Sequence, residues 1–151
     1  IISHQSRLNG PGYSEDNTIK GIELALNEGI NVESDVWGDS KGKLALGHDN
    51  PGDIVSIDFL TNPRIWVHAK NEYALQILYN SEVNYFFHQK DPFTVTSKGY
   101  NWVHIESAPI INNAIYCAFS LNQLKELKTK VRFPIGVCTD FPLAVLDIFN
   151  D

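Results

Sequence analysis

Ile30-Asn31-Val32-Glu33-Ser34-Asp35-Val36-Trp37 is the stretch on which the fold turns. Its apolar and polar residues alternate with period two, which predicts a β-strand. Side chains two apart on a strand point the same way, so Glu33 and Asp35 share one face and Val32, Ser34 and Val36 the other. Two like charges on one face repel unless a cation lies between them, which is the pattern of a hard-metal site. In a parallel barrel one strand face meets the core and the other meets helices. Neither is a natural place for two unpaired carboxylates.

Outward from this strand the chain keeps alternating between elements. Gly38-Asp39-Ser40-Lys41-Gly42 is a turn, and Lys43-Leu44-Ala45-Leu46 a return strand that ends at Gly47-His48-Asp49. Upstream, 18–28 predicts a helix with Asn17 as its N-cap and Gly29 at its end. Before it, Ile1-Ile2-Ser3 is a short β-prone run ending on His4, and 5–16 is a loop. Downstream, 51–63 is expected as loop with a docking segment at 57–60. Strands are expected at 65–67, 83–87, 93–96, 100–103, 114–119 and 133–138, and helices at 72–79, 121–128 and 141–149.

Strands interleaved with helices predict an α/β fold with mostly parallel strands, and the missing helices after some strands an irregular one. The 151 residues, without repeat or linker, fit one domain over 1–151.

Composition narrows the function classes. The formal charge is −6, which argues against nucleic acid as a main partner, because phosphate backbones call for a dense Lys/Arg surface. Lys125, Lys128, Lys130 and Arg132 read as a solvated face. No apolar run approaches the roughly 20 residues of a membrane span. Cys117 and Cys138 each lie in an apolar stretch and read as small buried hydrophobes, so a cytoplasmic location is expected. Trp37, Trp66 and Trp102 read as core residues, and Asp140 as a residue that caps or hydrogen-bonds at a strand end.

All five histidines follow an apolar β-like run: His4, His48, His68, His88 and His104. In a parallel barrel the C-terminal strand ends gather on one face, so the five imidazoles are expected around one mouth.

Ile2-Ser3-His4, Asp16-Asn17-Thr18, Glu33-Ser34-Asp35-Val36 and Leu46-Gly47-His48-Asp49 together resemble the glycerophosphodiester phosphodiesterases, in order and spacing. His68-Ala69-Lys70 stands where that family has E-x-K, and Val137-Cys138-Thr139-Asp140-Phe141-Pro142 resembles its closing V-x-T-D-x-P. The resemblance implies a TIM-type (β/α) barrel. At this length the barrel is compact or incomplete, with several outer helices shortened or missing, and the strand faces thereby exposed suggest a homo-oligomer.

It further implies hydrolysis of a small phosphodiester substrate, with His4 and His48 as the paired catalytic acid and base. Glu33, Asp35 and His68 stand at the metal positions, and Lys70, Arg7 and His88 at the substrate- and phosphate-binding positions. The implied cofactor is a divalent cation, Mg²⁺ or Ca²⁺. His68 in place of a carboxylate moves the preference towards Mn²⁺ or Zn²⁺. Gln5 replaces the family's Arg and Asp16 its Glu. Two alternatives stand beside this reading: an anion-binding module without turnover, and a phospholipase D-type lyase resembling the spider-venom sphingomyelinases.

Overall fold

The computed structural model describes residues 1–106, 111, 113–131 and 134–150. Phe133, the expected start of the last strand, and Arg132 of the basic cluster lie outside them. In chain order the described elements are β1 (Ile2–His4), α1 (Ile19–Asn27), β2 (Asn31–Gly38), β3 (Leu44–Leu46), β4 (Ile54–Val55), α2 (Ile57–Leu60), β5 (Ile65–Ala69) and α3 (Glu72–Leu78). Then follow β6 (Asn84–Phe86), β7 (Phe93–Val95), β8 (Asn101–His104), β9 (Ala114–Cys117), α4 (Leu121–Lys130), β10 (Gly136–Thr139) and α5 (Pro142–Asn150).

The ten strands form one mixed sheet. Parallel pairing runs β6-β5-β2-β1-β10-β9-β8, and antiparallel pairs add β3 and β4 beyond β2 and β7 beyond β8. The expected α/β class is observed. The barrel is not completed, because the ladder stays open between β6 and β7. Contact there is made by Ser97, whose N–H donates to the Tyr85 carbonyl at 2.7 Å and whose hydroxyl accepts from the Tyr85 N–H at 3.0 Å. The sheet nevertheless curls until Phe86 of β6 and Trp102 of β8 stack with ring centroids 4.5 Å apart.

The curl gives the sheet an inner and an outer face. On the outer face Val32, Val36, Leu46, Ile65 and Val67 pack with Ile22, Leu60, Ala74 and Leu78. A second outer cluster joins Val103, Tyr116 and Val137 to Leu124, Leu127 and Val145. Full burial of one such side chain contributes about 1.5–3 kcal/mol, so these layers hold the sheet against its helices. On the inner face Ile2, Trp66, Phe86, Trp102, Ile115, Cys117 and Cys138 fill the space beneath the strand ends. The two cysteines are buried free thiols there, and Trp66 and Trp102 are core, as expected. Trp37 is half-buried, its indole N–H donating to the Gly47 carbonyl at 2.8 Å.

Helix starts obey local chemistry, with one correction. Thr18, not Asn17, caps α1 and accepts from the Gly21 N–H at 3.0 Å. Ser56, Asn71 and Ser120 cap α2, α3 and α4 in the same way, each satisfying an otherwise orphaned N–H. Asn71 also brackets Gly38 with two hydrogen bonds. A Cβ on Gly38 would come within 2.4 Å of the Ala74 nitrogen, so only glycine lets β2 end against α3. Strand β4, inside the expected 51–63 loop, is short and pairs only with β3. Among the described residues no helix is long and apolar enough to cross a membrane.

Candidate active site

The inner-face positions at the C-terminal strand ends carry the polar residues. A cavity of about 380 Å³ opens there, between a charged wall of His4, Glu33, Asp35, His68 and Lys70 and a ring wall of Phe86, His88, Trp102, His104 and Phe119. His48 lines it as well. A wider recess of about 670 Å³ shares His4 and His48 and extends over Arg7, Asp16, Asn17 and the loop from Gly47 to Asp53. All five histidines therefore face this mouth, His104 included.

Parallel register places the charged wall. Glu33 of β2 lies beside His4 of β1, and Asp35 beside His68 of β5. Both carboxylates are buried, at 2% and 1% exposure. The Gln5 backbone N–H donates to Glu33 Oε2 at 3.2 Å. Asp35 accepts from Asn17 Nδ2 at 3.0 Å on Oδ2, while Oδ1 lies 2.9 Å from His68 Nδ1 and 3.3 Å from Lys70 Nζ. Asn17 returns its own oxygen to the Asp35 N–H at 2.9 Å. Gln5, Ser6 and Asn17 all adopt left-handed backbone, with φ of 53°, 60° and 52°. Such conformations are unfavourable for non-glycine residues and gather where structure over-determines them. Here they turn the Gln5 amide and the Asn17 side chain onto the two carboxylates.

The two carboxylates titrate in opposite directions. Burial alone would raise Asp35, but His68, Lys70 and His48 outweigh it and hold it at about 2. Glu33 is pushed well above the usual carboxylate range, first by burial and then by the charge of Asp35.

His68 decides whether a cation fits. Its Nε2–H donates to the His88 carbonyl at 3.1 Å, so a neutral His68 would set its Nδ1 lone pair against Asp35 Oδ1. Two acceptors facing each other at that distance call for a cation between them, a proton or a metal ion. A ligating imidazole typically gives its other N–H to a carbonyl or carboxylate, as His68 does. Ligand atoms of Glu33, Asp35 and His68 lie within 4.8 Å of one another. The donor set fits a divalent ion.

His4 Nδ1 is 2.7 Å from Asp140 Oδ1, and its Nε2 stands 3.9 Å from Glu33 Oε2. His48 is half exposed and pairs through Nδ1 with Asp49 at 2.8 Å. Asp140, expected to cap or to hydrogen-bond at a strand end, does the latter: its carboxylate accepts from His4 and from Arg7 Nη1 at 3.0 Å. Arg7 lines the wider recess, with Nε also donating to Asp16 and Nη2 to Gln5, so that three of its five N–H groups are engaged. Asn17 and Asp140 are the site residues that sequence reading missed. Asp140 follows an apolar strand as each histidine does, and that shared position was the available signal.

No protein-family model matches the chain, and no curated protein matches it by sequence. In structure it is similar to a glycerophosphodiester phosphodiesterase from Agrobacterium tumefaciens str. C58, with a TM-score of 0.57 and 12% identity over 99% of this chain and 98% of that one. It is equally similar to a protein assigned as a glycerophosphoryl diester phosphodiesterase from Silicibacter pomeroyi DSS-3, with a TM-score of 0.57 and 11% identity over 99% and 92%. At such identities the likeness is one of fold.

Proposed function

We propose that this chain hydrolyses a small phosphodiester of the glycerophosphodiester type, with His4 as general base and His48 as general acid. The observation that carries the reading is the placement of His4 Nε2 over Glu33, in one cavity with Asp35, His68 and Lys70. The likeness in fold to proteins named as phosphodiesterases supports it. A cavity of this volume suits a small substrate.

The reaction is a displacement at phosphorus. A water oxygen attacks the phosphorus while His4 Nε2 takes its proton. The bond from phosphorus to the leaving oxygen breaks, and His48 gives that oxygen a proton. Imidazole is a side chain able to serve as either a base or an acid in such a displacement. Lys70, beside Asp35, supplies an ammonium for a non-bridging phosphate oxygen. His88 and the rings of Phe86, Trp102 and Phe119 shield that spot from bulk water. Arg7 braces Asp140 and lines the adjoining recess. Glu33, Asp35 and His68 would hold a divalent cation, Mg²⁺, Ca²⁺ or, with the imidazole, Mn²⁺, whose chemistry is polarisation of a phosphoryl oxygen.

The test is turnover of glycerophosphocholine and of a chromogenic phosphodiester with each of these cations. Release of a monoester, reduced about 10²–10⁴-fold in His4→Ala, is expected. No turnover with any cation, or full activity in His4→Ala, would sink the reading. Phosphate binding without turnover would make the chain a binding module. A cyclic phosphate as sole product would make it a lyase.

A further inference from the structure

Behind His4 runs a chain of hydrogen-bonded side chains that do not line the cavity of about 380 Å³. Ser3 and Thr139 are register partners on the parallel strands β1 and β10, so the next residues, His4 and Asp140, lie side by side. Asp140 is 5% exposed, and its Oδ1 accepts from His4 Nδ1 at 2.7 Å and from Arg7 Nη1 at 3.0 Å. Arg7 is anchored on both sides, with Nε donating to Asp16 Oδ2 at 2.7 Å and Nη2 to Gln5 Oε1 at 2.9 Å. The backbone is tied too, since the Asp140 carbonyl accepts from the Gly10 N–H at 2.7 Å.

Two independent constraints then fix the proton on His4. A carboxylate only accepts, so the Nδ1 facing Asp140 is the protonated nitrogen. Arg7 claims Gln5 Oε1, so the end of the Gln5 amide near His4 is its NH₂, which only donates. It lies 3.3 Å from His4 Nε2, which must therefore carry a lone pair. Both constraints give the same tautomer. A buried carboxylate is retained only when paired. Burial opposes ionisation of Asp140, yet His4 and Arg7 together hold it below the usual range.

We propose that Asp140, braced by Arg7, is the positioning residue that keeps His4 in the Nδ1–H tautomer with its Nε2 lone pair turned into the cavity. The catalytic use of this device rests on the role given to His4 above. The opposite tautomer would present an N–H where a proton has to be accepted, and a base in that state cannot start the displacement. Asp140 is buried and does not line the cavity. It acts by orientation and by stabilising the imidazolium once His4 is protonated. The hydrogen bonds its carboxylate accepts come from side chains, which separates it from a backbone cap.

The decisive measurement is the ¹⁵N spectrum of the histidine-labelled protein at about pH 8.5, two units above the ordinary imidazole pKa, with the His4 signals identified by their loss in His4→Gln. A protonated Nδ1 and a lone-pair Nε2 are expected, and a protonated Nε2 would overturn the proposal. In Asp140→Ala the Nε2–H tautomer should appear. There kcat should fall about 100-fold or more while KM stays within about threefold, since an orienting contact matters most in the transition state. An unchanged tautomer with kcat within about threefold of the parent would equally overturn it. The wild-type spectrum decides even if Asp140→Ala fails to fold. It needs no substrate, so a protein inactive on every phosphodiester would remove the proposed activity and leave this assignment standing or falling on its own.

Discussion

The two walls of the cavity are built by one rule and end in opposite states. On each, a polar or aromatic residue follows a short apolar strand on the inner face. On the β1-β2-β5 side these residues are His4, Glu33, Asp35, His68 and Lys70, linked by short charged contacts. Across from them His88 stacks on His68 at 4.6 Å, His104 meets His88 edge-on at 5.5 Å, and Phe119 closes the arc between His104 and His4. Burial, then His68, His104 and Lys70, pushes His88 down to about 4. Burial, then His4 and His68, also lowers His104. One wall concentrates charge and the other stays neutral because each ring is partly desolvated beside cations. The difference teaches that histidine at a strand end is no single kind of residue. Its neighbours on adjacent strands decide its chemistry.

The strongest way to break this contrast is to exchange one imidazole on each wall. His4→Ala should lower kcat/KM by about 10²–10⁴-fold, whereas His104→Ala should cost less than about tenfold, both by steady-state assay. Comparable losses would erase the distinction. Stability tests the ring wall instead. Trp102 is 3% exposed, and Trp102→Ala should cost about 3–5 kcal/mol in urea unfolding through the void left among Trp66, Phe86 and Ile115.

The carboxylate pair sharpens the comparison within the charged wall. Asp35 falls from 3.8 to about 2 on folding, so it stabilises the protein above its unfolded pKa by about 2 kcal/mol. That contribution drains away as pH drops from about 4 toward 2. Glu33 has the opposite sign: its folded pKa is raised, so its ionisation costs stability as pH rises through that folded value. In metal-free buffer at neutral pH, Asp35→Asn should destabilise and Glu33→Gln should be neutral or stabilising, by urea midpoints. Destabilisation of equal size in both would refute the split. The smallest expected effect is none at all. The His88 ring resonances should not move between about pH 5.5 and 8, and a titration there would show a charged ring wall.

Much of this was legible from local pattern. Period-two alternation placed Glu33 and Asp35 on one face, and apolar runs ending in histidine located the strand ends. Polar residues before apolar stretches marked the helix starts to within one position. The partners of the site were not legible in this way. Asp140 reaches His4 across 136 positions, and only the pairing of β1 with β10 brings them together. Asn17 looked like an ordinary cap until its left-handed backbone carried it to Asp35. Arg7 meets Asp140 across 133 positions, a contact that no local pattern announces.

Local order in the chain by itself determined which residues alternate, which strands end in histidine, and that two carboxylates share a face, because side-chain direction repeats with fixed period along a strand. Tertiary structure alone decided that the ladder stays open between β6 and β7, which histidine faces Asp140, and in which direction each buried carboxylate's pKa moves. Those outcomes depend on desolvation and on contacts between strands far apart in the chain, and neither is encoded in any single stretch of residues.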